Sequence, residues 1–200
     1  MHEIGHNLGL GHDNDDETYG DETGVMGKSY SETDGPKICF NAAKSWELGW
    51  YNDDTVTVDV NTFETRFAET RWYGLVGVSD RNEAEGWMNT IIKIINTNDG
   101  LDYYLSFNSN TNMNAGVTDA IGKVLLTVSR AGLAVSDSIL LEKLDSQQSF
   151  QIFGEGVSIF PHPVLDANPP YAGILIRMLV PSDNSINLMG ALVFISESKG

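Results

Sequence analysis

The run His2-Glu3-Ile4-Gly5-His6-Asn7-Leu8-Gly9-Leu10-Gly11-His12 constrains this chain more than any other feature, because it fits H-E-x-x-H-x-x-G-x-x-H at every fixed position. Three of the four histidines in the chain lie in it. On a helix, His2 and His6 fall on one face about one turn apart. That is the separation at which two imidazole nitrogens reach a single Zn2+ at about 2.0–2.1 Å. Glu3 stands beside that face rather than on it, placed to take a proton from a water on the metal instead of ligating. Residues 1–8 therefore read as a helix that stops at Gly9, where the missing Cβ lets the backbone turn. That turn can carry His12 back as a third ligand. Three neutral imidazoles leave a fourth position open, as in a catalytic zinc site rather than a closed structural one.

Beyond the motif, residues 13–35 are rich in Asp, Glu, Gly, Ser and Thr and read as loop. Asp13, Asp15, Asp16, Glu17, Asp21 and Glu22 are expected to be solvated there. Clustered oxygens of this kind suit Ca2+, but no EF-hand spacing accompanies them, so calcium is a secondary expectation. Met26 follows His12 by fourteen residues, between Val25 and Gly27. It can return beneath the metal as a methionine turn, its thioether a soft floor for the site. Pro36 near a first turn and Gly49 near an end predict a second helix over about residues 36–48. Its apolar positions would be Ile38, Phe40, Ala42, Ala43, Trp46 and Leu48, with Trp46 and Trp50 in the core. Cys39, the single cysteine, cannot form an intrachain disulfide and reads as a buried thiol in that helix.

The texture changes after Tyr51. Thr55–Val60 alternates valine with Thr and Asp, the period of a strand. Apolar runs then recur at Tyr73–Val78, Met88–Ile95, Leu101–Phe107, Val124–Val128, Ile139–Leu144, Phe150–Phe153, Val157–Phe160, Ile174–Val180 and Leu188–Ile195, separated by clusters of Asn, Gly, Asp and Ser. Strands this short and this often interrupted argue for an antiparallel sandwich over alternating β-α units. Trp72 and Trp87 border strands and are expected to be buried. His162, between two prolines, reads as a loop histidine. The fold class read here is α+β: residues 1–51, whose motif resembles that of the zincins (metzincins) and so implies a C-terminal remnant of such a catalytic domain, then an antiparallel β-sandwich-like domain over residues 52–200 without a catalytic group.

Several stretches together resemble the gametolysin family, secreted zinc endopeptidases of metzincin type, several of which act on algal cell-wall glycoproteins. They are His2–His12, Tyr19-Gly20-Asp21 through Val25-Met26-Gly27, and Pro36 through Tyr51. Tyr103–Asn108 and Ser136–Leu141 resemble the β-rich continuation of that family. The resemblance implies that His2, His6 and His12 bind zinc, that Glu3 is the catalytic base and that Met26 is the turn methionine. It also implies extracellular action on a protein or glycoprotein substrate. Some metzincins carry a tyrosine two residues after the turn methionine, where this chain has Lys28. Tyr30, at a different spacing, is the remaining tyrosine candidate for an oxyanion or metal helper. A complete metzincin also has an upstream sheet whose edge strand pairs with substrate. None precedes His2, so the chain is expected to be a truncated and inefficient protease.

Charge narrows the partners. A formal net charge of −16 repels phosphates, which argues against nucleic acid and anionic membranes. No stretch approaches the roughly eighteen apolar residues of a membrane span. Neither a basic nor an apolar signal region follows Met1, so no signal peptide is expected in this chain. Oligomeric state is unassigned. The alternative reading is a catalytically inactive fragment whose β-rich domain binds a protein or glycan partner.

Overall fold

In the computed structural model, residues 1–27, 37–59, 70–83, 86–96, 100–130, 137–145, 148–153, 173–179 and 190–198 are described. Tyr30, His162, the run Val157–Phe160 and the side chain of Trp72 lie outside them. Short helices and many strands make a mixed fold dominated by sheet. In chain order the elements are α1 (His2–Asn7), β1 (Asp13–Asn14), α2 (Ala42–Glu47), β2 (Thr55–Asp59), β3 (Thr70–Val76), β4 (Met88–Asn89) and β5 (Ile91–Asn96). There follow β6 (Leu101–Phe107), β7 (Val124–Arg130), β8 (Ser138–Leu144), β9 (Ser149–Phe153), β10 (Gly173–Leu179) and β11 (Gly190–Ser198).

Two sheets result, one ordered β1-β8-β7-β6-β5-β2 and the other β4-β3-β11-β10-β9. Their interiors are antiparallel. Parallel pairs occur where β1 meets β8, β2 meets β5 and β4 meets β3. Alternation explains how the first sheet packs. Tyr103, Leu105 and Phe107 of β6 point one way, with Ile92 and Ile94 of β5 and Val124, Leu126 and Val128 of β7. That face shares one buried cluster with Leu75 of β3 and Phe150 of β9, which belong to the second sheet. Tyr104 and Ile91 point the other way, against Ala42 and Ala43 of α2. With both faces covered, the central strands read as nearly continuous apolar runs rather than clean alternation.

Several expectations need correction. The second helix begins at Ala42, not near Pro36, because Asn41 is its cap: the Asn41 side chain accepts a hydrogen bond from the Lys44 N–H at 3.0 Å. Residues 37–40 run outside the helix, tied to neighbours through Gly116 N–H to Lys37 O and Val25 N–H to Cys39 O. Cys39 is therefore not helical, and it is only partly buried. The run Met88–Ile95 is two strands in different sheets rather than one. Thr90 makes the break, its N–H donating to the Asp54 carbonyl at 2.7 Å. Trp50, expected in the core, is exposed after α2 ends, since Gly49 turns the chain at φ +69°. Trp87 is exposed too, resting over Gly74, where a Cβ would collide with its ring.

Candidate metal centre

The local sequence of α1 explains how the first two imidazoles come together. Gly5 N–H donates to the Met1 carbonyl, which closes the first turn and puts His2 and His6 on one side. The helix stops where Gly9 adopts φ +84°. A residue with a Cβ resists that left-handed conformation. Leu10 N–H then folds back onto the Gly5 carbonyl at 3.0 Å, and the chain is redirected toward His12.

The ligand atoms of His2, His6 and His12 all lie within 4.8 Å of one another. His6 Nε2 and His12 Nε2 are 3.2 Å apart. Tetrahedral ligands at about 2.0–2.1 Å from one ion stand about 3.3–3.4 Å from each other, so this spacing suits a shared metal. The opposite ring nitrogens are also committed: Nδ1 of His2 donates to the Val25 carbonyl and Nδ1 of His6 to the Leu10 carbonyl, each at 3.0 Å. Such bonds fix the tautomer and leave Nε2 as the nitrogen free to take a metal. Burial and the neighbouring His6 hold the His12 pKa below its ordinary value, which favours the neutral form a ligand needs. Glu3 stands on α1 between the two helical histidines and is exposed. The donor set therefore fits a zinc ion.

Met26 is fully buried among Leu10, Phe40, Val25 and Leu48. Its sulfur rests on Gly5, where a Cβ would run into it. The turn that holds Met26 is thus fastened under the ligand helix, and the preceding Val25 carbonyl is the partner of His2.

Other groups complete the site that the motif alone did not reveal. Asp13 was read as part of a solvated acidic loop, yet Asp13 and Asp21 are fully buried. Asp13 exchanges hydrogen bonds with Met26, N–H to carbonyl at 3.0 Å and Met26 N–H to Oδ2 at 3.2 Å. Its Oδ1 accepts from Ser138 Oγ at 2.7 Å, and Ser138 Oγ accepts from Asn41 Nδ2 at 2.9 Å. Burial first, and the Asp21 charge second, push the Asp13 carboxyl up to about 7, against the opposing pull of Ser138 and Lys44. Lys44, also fully buried, supplies positive charge to this acidic interior. Tyr19 adopts φ +66°, with its N–H on Asn14 Oδ1, and its ring centroid lies 4.2 Å from that of His12. Neither Asp13 nor Asp137 and Ser138 carried a local signal, because their contacts at the site are made across 125 residues of sequence. Among the described residues, the acidic loop assembles no comparable ligand group, and no helix is long and apolar enough to cross a membrane.

Residues 1–160 match the family described as Gametolysin peptidase M11. Comparisons with curated proteins and with solved structures gave no match.

Proposed function

Because this chain belongs to the gametolysin peptidase M11 family, we propose that it is a zinc endopeptidase of metzincin type, with His2, His6 and His12 as ligands, Glu3 as catalytic base and Met26 as turn methionine. The membership itself carries the coarser statement, that the chain is a metallopeptidase acting on protein. The finer reading is supported above all by the convergence of the three imidazoles on one point. In this reading residues 1–51 are the metal-bearing part of a zincin domain, and the two sheets form a sandwich-like partner to it. The substrates are extracellular or cell-wall proteins and glycoproteins.

When bound, zinc supplies Lewis acidity, acidifying a coordinated water and polarising the scissile carbonyl. The chain supplies the rest. The Val25 and Leu10 carbonyls hold His2 and His6 in the ligating tautomer. Met26 and Phe40, packed beneath Gly5, set the height of the ligand helix. Glu3 accepts a proton from the attacking water as its oxygen bonds to the carbonyl carbon. It returns that proton to the leaving nitrogen as the C–N bond breaks.

Hydrolysis of a gelatin-like substrate by the zinc-loaded chain tests this. Glu3→Gln is expected to keep zinc and to lower the rate by about 10²–10⁴-fold, the usual worth of a positioned proton-transfer group. An undiminished rate in that variant would remove Glu3 from its role. A wild-type chain that binds zinc but cleaves nothing would favour the inactive-fragment alternative.

A further inference from the structure

The third ligand differs from the first two in what holds it. His2 and His6 are carried by a helix, whereas His12 follows Gly9 and Gly11, two residues that leave the backbone free to move. Both backbone groups of His12 are nevertheless engaged, and by neighbouring residues far along the chain. Its N–H donates to Asp137 Oδ1 at 2.8 Å, and its carbonyl accepts from the Ser138 N–H at 2.9 Å. The next residues continue the grip: Asp13 and Asn14 pair in parallel with Ser138 and Ile139, making β1 the edge of the six-stranded sheet. Ser138 Oγ closes the contact from inside, bonded to Asp13 Oδ1 and Asn41 Nδ2 in a fully buried setting.

From this geometry we propose that Asp137 and Ser138 are positioning residues of the metal centre, a two-point clamp that fixes His12 as a ligand. The sheet region then carries part of the zinc site rather than serving as an appended module. The clamp acts on the backbone. It removes the freedom the two glycines leave, so that the His12 ring meets the ion beside His6 without having to search for it. Asp137 is the cleaner handle because it is exposed, so replacing it opens no cavity. Ser138 gives no side-chain handle on its own bond to His12, which is a backbone N–H; its Oγ instead partners the buried Asp13.

The inference rests on the zinc reading, and the test separates the two. Zinc affinity of the full chain is measured by chelator competition, and the visible spectrum of the cobalt-substituted protein reports ligand geometry. Circular dichroism of the metal-free variants controls for folding. Asp137→Ala is expected to weaken zinc by about tenfold or more, the usual cost of losing an outer partner of a ligand, and to alter the cobalt spectrum. Asp137→Asn keeps an acceptor oxygen and is expected to restore both. Wild-type affinity and an unchanged cobalt spectrum in Asp137→Ala would overturn the clamp while leaving the zinc site standing. Failure of Asp137→Asn to restore them would overturn it too, by tracing the effect to charge rather than to the hydrogen bond. A wild-type chain that takes up no stoichiometric zinc would overturn the zinc reading itself, and the clamp with it.

Discussion

The segment around the metal centre and the centre of the six-stranded sheet bury their residues by different means. In the sheet, Ile92, Ile94, Tyr103, Leu105 and Leu126 belong to one buried apolar cluster, and their contribution scales with apolar area. Around the three imidazoles, the described regular elements are short, six residues of helix and two of strand. There the fully buried groups include Asp13, Asp21 and Lys44, held by directed hydrogen bonds and opposed charges. Area tolerates exchange of one apolar shape for another, but a hydrogen bond to a buried carboxylate does not tolerate loss of its partner. Stability should therefore reside mainly in the sheet, and ligand geometry mainly in the polar segment.

Deleting part of the sheet core should give the largest effect on stability. Leu126→Ala removes a fully buried side chain of that cluster and should cost about 2–5 kcal/mol, read by denaturant unfolding. Once corrected for the folded fraction, its zinc affinity should match wild type. A direct loss of zinc affinity would break the division of labour. Gly5→Ala should show the reverse pattern. The new methyl meets the Met26 sulfur and sits close to the Phe40 ring. Overpacking of this kind costs about 1–3 kcal/mol, less up to about 1 kcal/mol because alanine is the better helix former. Zinc affinity should fall in that variant even where the unfolding midpoint barely moves. Equal zinc affinity would show that Met26 does not govern the ligand helix.

A third check, with no expected change in stability, lies at the seam between the regions. Burial pushes the Cys39 thiol up to about 11, so little thiolate exists near neutrality. Alkylation at pH 8 should be on the order of a hundredfold slower than for an unshifted cysteine. Fast labelling would mean that the strip carrying Cys39 opens readily and that the seam is looser than its hydrogen bonds suggest.

The same contrast governs what the sequence could disclose. The spacing of His2, His6 and His12 was legible because it is local: one helical turn and one glycine turn set where the rings go. Most strands were legible because their apolar runs are bounded by turn residues, and Leu101–Phe107 was found with its observed limits. The break at Thr90 was hidden, since the apolar Ile91–Ile95 follows it directly and the carbonyl of a distant Asp54 is what interrupts the ladder. Asp13, Asp21 and Lys44 were hidden for a related reason: charged residues are ordinarily solvated, and nothing nearby in sequence marks their partners. Asn41 resembled an interior position of a longer helix, and only its bond to the Lys44 N–H reveals it as the cap.

In the proposed site three imidazoles hold one zinc ion. X-ray absorption at the zinc edge, combined with metal analysis of the purified chain, tests it most directly. One zinc per chain is expected, with three imidazole nitrogens at about 2.0–2.1 Å, and its loss in His6→Ala. Zinc well below one per chain at saturating ion, or stoichiometric zinc retained with the same spectrum in His6→Ala, would contradict it.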